Sequence, residues 1–376
     1  MMNQKTAVLV SLVTLYVLSI NPAGLAEVDP RPIDAVRNKT VLEPADLQVI
    51  DDFVAAAVKD IMRTKDFSQV SKARAVLIGK RGPQPQFAQQ FSESCRKQIA
   101  AGLEQAAANL PSDRKFKVMV NLLITADALQ DPAMADLGLK YLGGADAVIQ
   151  YWAVRLVTNS AAVEKLKQGN WPVGGQIVNG LLQLARPSST KQGDCPEVVL
   201  APIAEFAAKV GTAEGQALLA EVTDARISQQ VRGQVQDCHV DTVILKLLYG
   251  QISDPANASK KASLAGRFAQ LYSYVIQRLA KAGTTFNEAQ REQWASVVVE
   301  VEDKCVAPVL EGYQTPLRKA IEKGDLAGLQ AEHDRLLGSS TAQGQLVAKW
   351  QFDYGTGADG KPQTWPKELA LKTAGK

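Results

Sequence analysis

Leu47, Ile50, Phe53, Val54, Val58 and Ile61 recur three and four residues apart, so they share one side of a helix. The same period runs on from residue 44 through most of the chain. It predicts helices over 67–79, over 86–109 and over 112–130, with Ser112 placed to cap the last. Between about 131 and 228 the pattern shortens. Gly, Pro or Asn breaks fall at 130–132, 143–146, 158–161, 169–175, 186–196 and 210–215, and each gap holds one amphipathic helix. Long helices return over 229–252, 259–281 and 287–306. Leu264, Phe268, Leu271, Val275 and Leu279 form one seam, and Asn287 with Gln290 has the capping-box spacing. A further pair follows over 315–323 and 325–337, and "GSSTAQG" separates it from 345–352. The alternation of a half-buried strand is missing, and Val198-Val199-Leu200 lies inside a helical run. The fold class is therefore all-α.

Short helices joined by tight breaks cannot each bury a face alone and must stack on neighbours, which is the logic of a solenoid. Within "YLGGADAVIQYWAVRLV" (141–157), Leu142, Asp146, Ile149, Ala153 and Leu156 stand in a recognisable order. The stretch resembles HEAT-type helical repeats, in which a helix ends in Leu and a tight turn bears Asp. Val-Arg-x-x-Ala-x-x-Leu then follows. The resemblance covers one clear repeat and two degenerate ones through Ala225. It implies an α-α superhelix over 44–228, with the longer helices of 229–352 packed against it. Asp146 would cap its helix, Ala153 would admit a neighbouring helix, and Trp152 would fill the space between layers. Gln150 stands where the family often has Arg, which leaves an Asp–Arg ladder between repeats without its cation.

The ends of the chain add a destination. Thr6–Ile20 is apolar or small, follows Lys5, and is shorter than the ~20 residues of a transmembrane span. Asn21-Pro22 breaks it, and small residues lead up to Ala26. Residues 1–26 are expected to be a signal peptide cut before Glu27, leaving a mature chain outside the cytoplasm with no membrane span. Residues 27–43 are expected to run extended, and the Gly- and Lys-rich 353–376 to form a flexible tail. The formal charge of +3, from 42 basic and 39 acidic residues, contains no basic block and argues against nucleic acid as a partner.

Candidate chemistry is sparse. The two histidines, His239 and His333, are too few for most His-based triads or zinc sites, and His333 in "AEHDR" reads as solvated. Glu300, Glu302 and Asp303 likewise read as a solvated acidic face. The four cysteines, Cys95, Cys195, Cys238 and Cys305, are candidates for disulfides or, for Cys195 beside Pro196, a reactive thiol. Cys95, Cys238 and Cys305 also fit apolar helix faces as small hydrophobes. Asn38 and Asn257 head formal glycosylation sequons. No phosphate-loop, dinucleotide or nucleophile-elbow motif occurs, so no cofactor, metal or catalytic constellation is implied.

The expectation is an exported helical-repeat protein that binds or scaffolds a protein or other envelope macromolecule without catalysis. Tyr151, Arg155 and Trp171 are its candidate contact residues, being the residue types favoured as interface anchors. The alternative is an extracytoplasmic enzyme or ligand-binding protein with Glu300, His239 and Cys195 in one cleft between the solenoid and the C-terminal helices.

Overall fold

The computed structural model describes residues 29–186, 195–282, 286–357 and 360–370, so the expected signal peptide lies outside the described residues. The chain is all-α: the only strands among the described residues are two residues long. It divides into two compact units that meet in sequence between Leu122 and Leu123.

In the first unit, helices α1 (Arg31–Val36), α2 (Pro44–Arg63), α3 (Phe67–Gly79) and α4 (Pro85–Asn109) precede α5 (Ser112–Ala128). α2 packs against α1, α3 and α4, and its stripe supplies Ile50, Phe53, Val54, Val58 and Ile61 to the core. Lys39 Nζ lies 2.7 Å from Asp46 Oδ1, and Asp46 also accepts from the Glu43 amide at 2.9 Å, fixing the start of α2. At its other end Arg114 donates to the carbonyls of Met62 and Thr64, two acceptors that the helix terminus leaves open. The stretch 27–43, expected to run extended, instead contains α1. Pro32 sits in the first turn, where its missing N–H costs nothing, and Ile33 and Val36 are buried.

The second unit continues through α6 (Ala135–Leu139), α7 (Ala147–Val157), α8 (Ser160–Lys167), α9 (Gly174–Ala185), α10 (Glu197–Val210) and α11 (Ala213–Arg232). There follow α12 (His239–Ser253), α13 (Lys261–Ala282), α14 (Glu288–Val301), α15 (Pro316–Glu322), α16 (Leu326–Leu337) and α17 (Gln345–Trp350). α10 packs against α7, α8, α11 and α12. α11 packs against α9 and α13, and α12 against α13 and α14. One apolar core runs through these helices from Ala135 to Tyr354. Gly338–Ser339 and Ala342–Gln343 pair as a small antiparallel hairpin where "GSSTAQG" breaks the helices. No helix among the described residues is long and apolar enough to cross a membrane.

The sharp start of α7 has a local cause. Asp146 accepts from the amides of Val148 at 2.9 Å and Ile149 at 3.0 Å, the cap its position predicts. Ala153 is fully buried, and a Cβ added to Gly138 of α6 would stand 2.8 Å from the Ala153 carbonyl and 2.7 Å from Val157 Cγ1. The two helices therefore touch through backbone, and small residues on both sides permit it. Trp152 is half-buried and stacks edge-on with Tyr151 at 5.4 Å, so it lies at the rim of the helix layer and does not fill its middle.

The helix expected over 229–252 is two helices. Gly233 takes φ +69°, a left-handed conformation that ends α11, and the Gln234 amide returns to the Gln229 carbonyl at 3.0 Å. Cys238 thus precedes α12 and is not part of a continuous stripe. The tail also departs from expectation. Tyr354 donates its hydroxyl to Leu337 at 2.8 Å, and Leu369 is 2% exposed.

Gly138→Ala is expected to lower stability by about 1–3 kcal/mol through overpacking. Gly143→Ala, where a Cβ meets nothing within 4 Å, should change it little. Urea midpoints of the two variants check this.

Candidate functional site

Tyr151 and Arg155 stand one turn apart on α7. The Arg155 guanidinium lies 6.0 Å from the Trp152 ring centroid, and its Nη2 is 3.4 Å from Asp127 Oδ2. Burial raises the Asp127 carboxyl above its ordinary value, and Arg155 pulls the other way. The result is a half-exposed cluster of two aromatic rings and one cation, with the cation anchored from behind. Trp171 does not extend into solvent. It is half-buried in the turn before α9 and packs on the core beside Gly174.

All four cysteines are buried. Cys238 and Cys305 are free thiols, and burial pushes them up to about 11 and about 12 respectively, so both stay protonated at neutral pH. Cys195 lies one residue before the Pro196 that stands at the cap of α10, with its Sγ 3.8 Å from the Pro196 carbonyl. Its carbonyl accepts from Gln229 Nε2 at 2.8 Å. Glu300 pairs with Lys246 at 2.9 Å in a half-exposed setting, and His239 is exposed at the start of α12. Cys195 is in the core, so these three groups occupy different environments.

The densest polar chemistry surrounds Arg226, which is fully buried on α11. Its Nε and Nη2 reach both carboxylate oxygens of Asp241 on α12 at 2.9 and 2.6 Å, and Asp241 is itself fully buried. Nη1 reaches Glu197 at the start of α10 at 2.5 Å. Nη2 also donates to the Asp237 carbonyl at 2.6 Å. Burial opposes the guanidinium's charge, and Asp241 with Glu197 more than offsets it, so Arg226 is held charged. Gln230 donates to Asp241 at 3.0 Å and accepts from Arg278 of α13 at 2.9 Å. Arg278 in turn lies over the Trp294 ring at 5.5 Å. Nothing in single-residue patterns marks this network, although an Arg on an apolar helix face is a visible anomaly.

Two sequence readings are corrected here. The acidic group 300–303 is not a uniformly solvated face: Glu302 is fully buried. A π-helical turn over Glu302–Val306 continues α14 and carries this carboxylate to the start of α15, where it accepts from Leu317 and Arg318 amides at 2.9 and 2.8 Å. Tyr313 adds a hydroxyl at 3.0 Å, and Arg318 pairs with Asp303. His333 is not solvated either; it is 3% exposed. Its Nε2 is 2.8 Å from Ser273 Oγ and its Nδ1 2.8 Å from Asp334 Oδ1. That chain has the hydrogen-bond order of a nucleophile relay, but Ser273 is fully buried in the middle of α13 and also accepts from Gln277 at 2.8 Å. It works as an internal tie between α13 and α16.

A shallow cleft of about 230 Å³ opens beside Tyr313, walled by Glu311, Gln314, Arg335 and Gln345. No group of three or more His, Cys, Asp or Glu side chains among the described residues is arranged to hold a metal. The Asn257 sequon is closed, since Asn257 is 4% exposed and donates to the Gln251 carbonyl at 3.0 Å; Asn38 is exposed. No protein-family model matches the chain, and no curated protein matches it. Its class is thus set by the fold, an all-α chain held by buried polar ties.

Arg226→Met leaves Asp241 buried without its cation and is expected to cost about 3–5 kcal/mol in a urea titration. Replacing both, Arg226→Met with Asp241→Leu, should recover part of that loss. Burial lowers the His333 imidazole below its ordinary value, with Asp334 pulling the other way, so the folded chain holds it neutral. The stability this supplies is complete above about 6.5 and falls as the unfolded chain takes up a proton below it. His333→Gln should flatten the slope of unfolding free energy between pH 7.5 and 5.5.

Proposed function

We propose that this chain is an exported helical-repeat protein that binds or scaffolds another macromolecule of the cell envelope, with the α7 face as its contact surface. The reading rests on one observation above the rest: helices α10 to α14 lie against their neighbours in the sequence and against the next but one, α8 and α9 each lie against the next but one, and α6 lies against α7, around a continuous core. Such packing lets short helices share buried faces and leaves a succession of outer surfaces for recognition. The capped start of α7 and the close approach of Gly138 to Ala153 agree with the HEAT-like order of Leu142, Asp146, Ile149, Ala153 and Leu156. On that helix Tyr151, Trp152 and Arg155 offer rings and a cation whose position is held by Asp127. Tyr, Trp and Arg are enriched in binding hot spots, the two aromatics because they bury large areas with few rotors and Arg because its planar fork stacks and forms several hydrogen bonds. Trp171 supports the local packing more than the contact surface.

Export is part of the proposal and is tested separately. The chain recovered from its native envelope fraction should begin at Glu27, and a chain starting at residue 27 should stay in the cytoplasm.

Arg155→Lys keeps a cation opposite Asp127 but removes the planar fork and its stacking on Trp152. Combined with Tyr151→Ala, it should lower capture of the envelope partner by tenfold or more while the melting temperature stays within a few degrees. Unchanged capture in that variant would reject the α7 face as the contact surface. Quantitative cross-linking of the mature chain in its native envelope provides the measurement.

A further inference from the structure

The end of α2 from which the first unit turns into α3 carries more positive charge than the helix itself needs. Lys59, Arg63 and Lys65 are exposed there. The start of α5 is held against the same end, because Arg114 donates to the Met62 and Thr64 carbonyls. That contact brings Lys115, half-exposed, and Lys117, exposed, to the same end of the unit. None of these five cations enters a salt bridge among the described residues.

Local structure accounts for only part of this placement. Arg63 suits the carbonyl end of α2, but Arg114 already fills two acceptors at that end. Lys115 and Lys117 lie in the first two turns of α5, where the amide end of a helix favours acids and opposes cations. Of the acids nearby, Asp66 is engaged at the cap of α3, accepting from the Ser68 hydroxyl at 2.6 Å and the Gln69 amide at 3.0 Å. Asp60 and Asp113 are outnumbered. Charges kept against a local preference mark a surface shaped by something outside the chain.

Among them stands Phe67, the first residue of α3, which is 53% exposed. A single exposed ring is ordinary on a protein surface. A ring set among unpaired cations matches the two-part chemistry of a lipid headgroup layer. Cations meet phosphates at its surface, and the ring enters the apolar boundary beneath. A soluble polyanion would use the cations and leave the ring in water.

We infer that this end of the first unit, through Lys59, Arg63, Lys65, Phe67, Lys115 and Lys117, docks on an anionic membrane surface with Phe67 inserted among the headgroups. The α7 face belongs to the second unit, so each proposal can fail without the other.

The test sediments the mature chain, from residue 27 onward, with vesicles of phosphatidylcholine alone or mixed equally with phosphatidylglycerol. Binding to the anionic vesicles should be about tenfold tighter or more than to the neutral ones, and should fall steeply as salt rises. Lys65→Gln, Lys115→Gln and Lys117→Gln together should weaken it by about tenfold. Phe67→Ser should weaken it by about threefold or more, with the melting temperature kept within a few degrees. In Phe67→Trp, brominated lipid should quench more fluorescence than it does in the unaltered chain. Equal binding to both vesicles, or anionic binding that neither set of substitutions weakens, overturns the proposal. Loss in the charge variant with full binding by Phe67→Ser would assign the patch to a soluble polyanion and overturn the membrane. Should the charge variant fail to fold, Phe67→Trp decides, and the absence of added quenching rejects insertion.

Discussion

The buried guanidinium of Arg226 is the constraint around which the second unit is arranged. A charge taken out of water is tolerated only when its partners surround it, and those partners come from three other places in the chain. Asp241 fixes α12 against α11, Glu197 fixes the start of α10, and the Asp237 carbonyl fixes the break between α11 and α12. Through Gln230 and Arg278 the same network reaches α13. Apolar faces hold the helices by fit, and a hydrogen-bonded charge adds directional constraints, so this cluster reinforces the register of α10, α11 and α12.

The sequence was most legible where cause and effect are local. Periodicity located nearly every helix, Asp146 and Asn287 cap where their positions indicate, and Gly324 separates α15 from α16. Gly233 is legible too, but an apolar spacing that runs on past it to Cys238 masks the break. The charged residues were hardest. Glu302 and His333 sit among polar neighbours, and a polar neighbourhood looks solvated until the packing partner is known. The partner of Glu302 is a chain break fifteen residues onward, and that of His333 is a serine sixty residues back. No local pattern carries such information. Of the candidate site, the side-by-side placement of Tyr151 and Arg155 was readable from helical spacing, whereas the Asp127 anchor was not.

One device recurs at the breaks of the second unit. Glu197 accepts from the Gln236 and Asp237 amides at 3.0 and 2.9 Å, where α11 has ended and α12 has not begun. Glu302 accepts from the Leu317 and Arg318 amides at the start of α15. Gln277 accepts from the Leu369 amide in the tail. In each case a helical side chain from elsewhere satisfies amides at a helix start or in an irregular segment. Buried amides need such acceptors, and a local turn residue is only one way to supply them.

The three cases differ in the acceptor, and the difference has consequences. Glu197 and Glu302 are carboxylates, whose bonds to amides are charge-assisted and stronger than neutral ones. Losing Glu302 would leave the buried Leu317 amide open, whereas the Gln236 and Asp237 amides that Glu197 holds lie on an exposed break. Gln277 is neutral and carries its own donor, so one side chain meets both the Leu369 amide and the Lys367 carbonyl. A carboxylate serves where only amides converge, and an amide side chain serves where an amide and a carbonyl must both be met. That contrast separates Gln277 on α13 from the two carboxylate clasps, even though all three perform the same local task.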